Sequence, residues 1–469
     1  MNSYNKLAKS SFIFAIGNLG SKIIFLLLVP IYTYYLSTDE YGNVDLITTT
    51  ISLLLPITTL SIFDAVLRFS MDNAYEKKLI LSNGISLTIV GFIFSFLLYP
   101  IFLIVFPFDD YLLYFYILLF FQSINSTFLQ FLRAIDKLKI YAVNGILSAV
   151  LVLLTNIYFL IILNWNVSGF LISMIISNII SCIFIIIAGR LYRYFSRNFI
   201  NIKLLKEMLL YSIPLIPNAV MWWVMGLSDR YIITYFLGMS ANGLYAVANK
   251  IPSILNIVNS IFLQAWQLSA IEEKDSKSKS QFYTNVFNIF STTIFLFTSI
   301  LIIFLKIIIF TFLAQEFSDS WKYVPFLLLG IVFSSFSGFL GANYLAMKNT
   351  RGIFKTSMIG AIINIIGNFI LIPIIGINGA SLSTMISFMF IWIIRVFETK
   401  ASITIKINYF SFIFSLLILL IQITVLYINV KYEYLIQVLL LGLLVFISRK
   451  HLLFLLKELK MKFNDLKST

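Results

Sequence analysis

The chain has 469 residues, of which 60% are hydrophobic and only 12% charged, and its mean hydropathy is +0.96. Soluble domains carry about 25% charged residues, so a sizeable soluble domain is excluded. The single cysteine (Cys182, inside an apolar run) and single histidine (His451, near the C-terminal end) leave no disulfide framework, no Cys- or His-based metal site and no Ser-His-Asp chemistry; no cofactor or metal is expected.

Apolar runs of roughly 20 residues, each long enough to cross about 30 Å of hydrocarbon, recur along the whole length. They lack the period of two that a barrel strand would show. The predicted fold is an all-α polytopic membrane protein. Its fourteen spans fall at about 11–36, 44–69, 80–106, 111–132, 141–163, 168–189, 208–237, 243–269, 283–313, 323–347, 353–374, 379–397, 407–429 and 433–455. The leading MNSYNKLAKS lacks a small-residue cleavage site, so the first run reads as an uncleaved span.

The loops alternate in charge. One set carries Lys6 and Lys9; Lys77 and Lys78; Arg133, Lys137 and Lys139; Arg190, Arg193, Arg197, Lys203 and Lys206; Lys274, Lys277 and Lys279; Lys348, Arg351 and Lys355; Arg395, Lys400 and Lys406; and Arg449 onward. The other set, among them STDEYG, PFDD, GMSANG and IGING, is short and nearly free of Lys and Arg. The positive-inside rule makes the first set cytoplasmic, with both termini. The net charge of +14 is thereby a topology signal and a contact with anionic lipid heads, not a nucleic-acid surface.

An internal repeat runs at an offset of 201 residues. YYLSTDEYGNVDLIT at 34 lines up with YFLGMSANGLYAVAN at 235, so that Gly42 falls on Gly243, Leu36 on Leu237, Leu7 on Met208 and Ser11 on Ser212. Each hairpin opens a block of six spans. Six is even, so the blocks enter the membrane in the same direction, as in transporters that place substrate between two halves. The predicted organisation is a six-helix lobe over 1–200, a second over 201–400, and an extra helix pair with a basic tail over 401–469.

Charges inside the apolar runs carry the functional signal, because each costs several kcal/mol in lipid, roughly 3 on insertion scales. Asp229 and Arg230 lie before the turn GMSANG, and Lys250 lies after it at a similar depth. One expectation is an Asp229–Lys250 ion pair that leaves Arg230 as the uncompensated cation. The other is that Arg230 and Lys250 bind an anionic substrate while Asp229 orients them; the two are compatible. Lys22 sits near the middle of the first span and is expected to face a cavity. Asp64 and Arg68, spaced i,i+4, are expected to pair locally, and Lys306 to snorkel along lipid. Asn218, Asn249, Asn256, Asn259, Gln264, Gln267, Asn285, Asn288, Asn364 and Asn368 read either as interhelical hydrogen bonding or as the polar lining of a wet cavity. Pro214 and Pro217 are expected to bend the seventh span, and Pro30 and Pro56 to act likewise in the first half.

The stretch YSIPLIPNAVMWWVMGLSDRYIITYFLGMSANGLYAVANKIPSIL (211–255), with its paired prolines, S-D-R-Y, F-L-G and G-x-Y-x-x-A-x-K-I-P in this order, resembles polysaccharide-repeat flippases of the Wzx type, within the multidrug/oligosaccharidyl-lipid/polysaccharide exporter superfamily. STDEYG at 37–42 and the 6+6+2 layout extend the resemblance. It implies a bacterial cytoplasmic-membrane flippase that moves undecaprenyl-diphosphate-linked oligosaccharide to the outer leaflet, for O-antigen or capsule. It also implies a two-lobed, cation-lined cavity, alternating access, and as partners a polysaccharide polymerase and a chain-length regulator. The cations expected to meet the diphosphate are Arg230, Lys250 and Lys22; Asn218, Asn249 and Asn256 would line the cavity. No G-x-x-x-x-G-K-S/T motif is present, so an ion gradient is the expected energy source, with Asp229 and Asp64 as candidate carriers. Two rival readings are a small-cation drug or ion antiporter of the same superfamily, which needs acidic cavity groups, and a membrane polysaccharide polymerase, which needs long outer loops. An enzyme is not expected.

Overall fold

A computed structural model describes residues 20–468, apart from 73, 106, 196–200, 273–278, 348, 401 and 402. Lys6, Leu7, Lys9, Ser11, Arg197, Lys274, Lys277 and Lys348 lie outside the described residues. The helices in chain order are α1 (Gly20–Tyr35), α2 (Thr38–Thr58), α3 (Ile62–Ser70), α4 (Lys77–Leu97), α5 (Tyr99–Val105), α6 (Leu112–Ala134), α7 (Leu138–Asn156), α8 (Asn166–Ala188), α9 (Ile202–Ser212), α10 (Ile216–Leu227), α11 (Asp229–Leu237) and α12 (Met239–Ala248). They continue with α13 (Lys250–Glu272), α14 (Lys279–Phe312), α15 (Val324–Ala346), α16 (Thr350–Ile375), α17 (Ile377–Thr399), α18 (Tyr409–Ile428) and α19 (Glu433–Ser468). The fold is an all-α polytopic membrane fold. Among the described residues, eleven helices or continuous helix runs are long and apolar enough to span a membrane, and thirteen if each of two bent pairs, α2 with α3 and α12 with α13, forms one span. The chain divides into two compact units, Met1–Ala246 and Val247–Thr469.

Local sequence sets the helix ends and breaks. Ser37 and Glu40 form a reciprocal capping box at the start of α2: the Glu40 amide donates to Ser37 Oγ (3.3 Å) and the Ser37 amide to Glu40 Oε2 (2.9 Å). Asp39 and Glu40 in that first turn also complement the helix dipole. The bend expected of Pro56 is present: α2 and α3 meet at 57°, with Leu60 and Ser61 in left-handed backbone conformations between them. The proline pair of the seventh span acts more gently. Ile213–Leu215 winds into a 3-10 turn, yet Ile202–Leu227 remains one apolar run. The second break in that region falls at Ser228, which ends α10 immediately before Asp229.

In the first unit, Ile62, Val66, Ile80, Phe128, Phe131, Leu132, Leu204 and Met208 share one buried cluster with their neighbours. Leu204 and Met208 belong to α9, so the start of the seventh span packs with α3, α4 and α6. Asn83 fixes the connection from α8 by accepting from the Asn201 amide (3.1 Å) and donating to its carbonyl (3.3 Å).

The second unit is built around α15, which is buried along most of its length. Phe262, Trp266, Phe290 and Phe339 stack with ring centroids 4.0–6.5 Å apart. Trp266 Nε1 donates to the Phe339 carbonyl (2.9 Å), so its polar end is satisfied where its ring is buried. The run ITIKIN at 403–408 lies extended along α14. The amides of Thr404, Lys406 and Asn408 donate to Ser280 Oγ (3.1 Å), Thr284 Oγ1 (3.0 Å) and Asn288 Oδ1 (3.4 Å). Two residues of strand advance about 6.6 Å and four of helix about 6.0 Å, so every second amide meets every fourth side chain. Ile403 is buried and Ile405 and Ile407 half-buried, while Thr404, Lys406 and Asn408 are exposed, as the alternation of the sequence dictates.

Three expectations for charged residues fail here. Lys306 does not snorkel: it is buried, and its ammonium donates to the Leu426 carbonyl (2.8 Å), Asn429 Oδ1 (2.5 Å) and Glu433 Oε2 (2.8 Å) above the Trp321 ring (4.5 Å). Its partners sit on and beside the last helix pair, beyond the reach of any reading of LIIFLKIIIF alone. Asp64 and Arg68 form no ion pair, and Arg68 is exposed. Arg395 is no loop residue but a buried part of α17, bound to Thr356 Oγ1 (3.0 Å), the Ser337 carbonyl (2.9 Å) and Ser357 Oγ (3.4 Å).

Candidate functional site

Five positions of α2 face α10, α11 and α12 of the same unit. They are Thr38, Gly42, Asp45, Thr49 and Thr50, spaced three or four apart save the last, and so lie along one helix face. At the turn end, Thr38 Oγ1 and Ser240 Oγ are 2.6 Å apart, and Asn242 Nδ2 donates to the Gly42 carbonyl (3.0 Å). Deeper, Trp223 Nε1 donates to the Thr49 carbonyl (3.0 Å), and the hydroxyls of Thr50 and Tyr231 are bonded.

The crossing of α2 and α12 depends on two glycines. A Cβ added at Gly42 would stand 2.2 Å from the Met239 carbonyl oxygen, and one at Gly243 would stand 1.8 Å from that of Thr38. Only hydrogen fits at either place. The two contacts are equivalents of each other: Gly42 and Gly243, like Thr38 and Met239, are partners in the 201-residue repeat.

Beneath this crossing lies a buried charge cluster. Arg230 Nε donates to Asp45 Oδ2 (2.8 Å), while Nη1 donates to Asp229 Oδ1 (3.1 Å) and the Gly226 carbonyl (3.2 Å). The guanidinium carbon lies 5.7 Å from the centre of the Tyr245 ring, whose hydroxyl donates to Asp229 Oδ2. Asp229 also accepts from the Arg230 amide (3.0 Å) at the first turn of α11. Arg230 is therefore not the uncompensated cation of the sequence expectation; two carboxylates hold it. Burial makes such pairing obligatory, since an unpaired charge there costs several kcal/mol.

Asp45 is the residue that sequence reasoning missed. It lies one helical turn below STDEYG, at the edge of the second span. The signal that could have found it is depth: Asp45 and Arg230 lie seven and eight residues from the outer turns at Thr38 and Gly238.

The other expected residues are spread more widely. Lys22 on α1 is exposed, and Asp64 on α3 is half-buried. Asn218 on α10 and Asn256 on α13 are exposed, Asn249 is half-buried between α12 and α13, and Lys250 opens α13 in the second unit. Of the remaining amides, Asn364 makes an interhelical bond, Asn368 bonds within its own helix and Asn288 binds an extended segment. Asn364 Nδ2 donates to Thr384 Oγ1 (3.2 Å), Asn368 Nδ2 to Asn364 Oδ1 (3.1 Å), and Asn288 receives the extended run 403–408. Among the described residues, no group of three or more His, Cys, Asp or Glu side chains is placed to hold a metal ion.

The chain matches the family model described as polysaccharide biosynthesis protein over residues 7–267, and it belongs to that family. No curated protein matches its sequence. Among solved structures it is similar to the lipid II flippase MurJ in an inward closed conformation, at 18% identity and a TM-score of 0.71, covering 96% of this chain and 99% of that one. It is also similar to an inward-facing multidrug resistance MATE family transporter of the MOP superfamily (14% identity, TM-score 0.63, 88% and 95% covered). A third similar structure is a mutant of the Vibrio cholerae MATE transporter VcmN (12% identity, TM-score 0.58, 85% and 97% covered). The fold is thus one shared by a lipid flippase and by drug transporters.

Proposed function

We propose that this protein is a flippase of the Wzx type. It carries polyprenyl-diphosphate-linked oligosaccharide from the cytoplasmic to the outer leaflet of a bacterial cytoplasmic membrane by alternating access, for O-antigen or capsule synthesis. The observation that carries this reading is the family match over residues 7–267, which spans the charged α10–α12 segment. The whole-length likeness to a lipid II flippase supports it. The eleven to thirteen apolar spans among the described residues support a polytopic carrier; the 6+6+2 layout of fourteen spans with both termini cytoplasmic is part of the proposal.

In this reading the prenyl tail stays in lipid while the diphosphate and glycan cross a wet interior. Arg230 is the candidate diphosphate ligand because a guanidinium suits paired phosphate oxygens. Lys22 and Lys250 are further candidate cations, each on its own unit. Asn218, Asn249 and Asn256 are the candidate sugar contacts, and Asp229 and Asp64 the candidate ion carriers. The polymerase and chain-length regulator are the proposed protein partners.

The cation-antiporter reading draws on a specific observation too: the Arg230 cluster holds two acids for one base. Complementation separates the two. A strain lacking its own repeat-unit flippase should regain surface polysaccharide when it expresses this chain with the matching gene cluster, and Arg230→Ala should abolish it while the protein still inserts. Loss of drug accumulation without restored polymer would instead support the antiporter.

A further inference from the structure

The Asp45–Arg230 pair is joined by one bond where a carboxylate and a guanidinium can make two. Arg230 Nε reaches Asp45 Oδ2, but no hydrogen bond of the described structure uses Nη2 of Arg230 or Oδ1 of Asp45. The pair is also nearly closed off, with side chains 8% and 11% exposed. A phosphate that takes two donors of this guanidinium needs Nε beside the unused Nη2, and Nε is the donor Asp45 holds, because Asp229 and the Gly226 carbonyl occupy Nη1 and the Tyr245 ring lies against the group. Asp45 sits on α2, one turn below the glycine crossing, so losing this bond removes a tie between α2 and α11 next to the place where α2 meets α12.

We infer that Asp45 is a positioning residue that competes with a diphosphate for Arg230, so that diphosphate binding and a closed α2–α12 crossing exclude each other. The inference rests on the proposed function and assigns its site a trigger. A ligand that binds only one of two forms must shift the population toward that form, and its apparent affinity falls by the fraction in which that form is present. Asp45 therefore lowers the affinity for the diphosphate, and the diphosphate loosens the crossing. By linkage, the factor by which a closed crossing weakens diphosphate binding is the factor by which diphosphate weakens the closed crossing.

The test uses the full chain in nanodiscs, with inorganic diphosphate as probe and sulfate at equal ionic strength as control. Asp45→Asn should bind diphosphate about five- to tenfold more tightly than the wild type, and Arg230→Ala should not bind it. A pair that serves only to hold the fold would give the opposite sign, since damage weakens binding. The second readout is a disulfide formed across the crossing by Thr38→Cys with Ser240→Cys in a Cys182→Ala background. Its yield in the otherwise unchanged chain should fall several-fold with diphosphate and not with sulfate. This readout also decides the matter if Asp45→Asn does not fold. Wild-type binding that Asp45→Asn leaves unchanged or weakens, or a cross-link indifferent to bound diphosphate, overturns the inference alone. No diphosphate binding by the wild type overturns the functional reading and the inference with it.

Discussion

Gly243→Ala is the smallest change that addresses the crossing of α2 and α12. The new methyl group would stand 1.8 Å from the Thr38 carbonyl oxygen and 2.8 Å from its carbon. Neither atom is the end of a flexible side chain; both are helix backbone. To reach the 3.4 Å of an ordinary contact the two backbones must part locally by about 1.6 Å. The Thr38–Ser240 bond and the Asn242 bond to the Gly42 carbonyl do not survive that displacement. Once the backbones part the overlap is relieved, and two lost hydrogen bonds at about 1–1.5 kcal/mol each put the cost near 2–3 kcal/mol. At 1.4 kcal/mol per tenfold, the closed crossing should lose roughly 30- to 150-fold in population. Spin labels at Asp39→Cys and Ala241→Cys in a Cys182→Ala background should then show a new, longer distance by pulsed electron resonance. An unchanged distance distribution together with an unchanged melting temperature would refute the argument, because it would mean the backbones adjust without separating.

Three further outcomes follow from the second unit and the broken span. Lys306→Met should cost about 3–5 kcal/mol by leaving Glu433 buried without its partner, and Lys306→Met with Glu433→Leu should recover most of that in thermal unfolding. Ser280→Ala, Thr284→Val and Asn288→Ala should each speed hydrogen exchange chiefly at one amide, that of Thr404, Lys406 and Asn408 respectively; a uniform rise across 403–408 would contradict the one-to-one pairing. Arg68→Ala should change stability by less than about 0.5 kcal/mol, as expected for an exposed side chain without an ion-pair partner.

What the sequence made legible followed from local rules. Long apolar runs with alternating loop charge gave the helices, and Pro56 its bend. The repeat also singled out Gly42 and Gly243 as equivalents, although not as neighbours in space. What remained hidden depended on contacts between distant segments. Arg230 looked uncompensated because Asp45 is 185 residues away, and Lys306 looked lipid-facing because Glu433 is 127 residues away. Asp64 and Arg68 mislead in the other direction: helical spacing brings two side chains to one face but does not make them pair, and Arg68 turns to the exposed side.

The repeat also separates scaffold from chemistry. The glycine crossing is self-complementary, with each half offering the other the same glycine and the same carbonyl, as two copies of one half-length chain would in a twofold dimer. The charged cluster below it has no such symmetry. At the same offset, the counterparts of Asp45, Asp229 and Arg230 are Ala246, Leu28 and Val29. The crossing is thus built from repeated positions, whereas the trio of Asp45, Asp229 and Arg230 has no charged counterpart in the repeat.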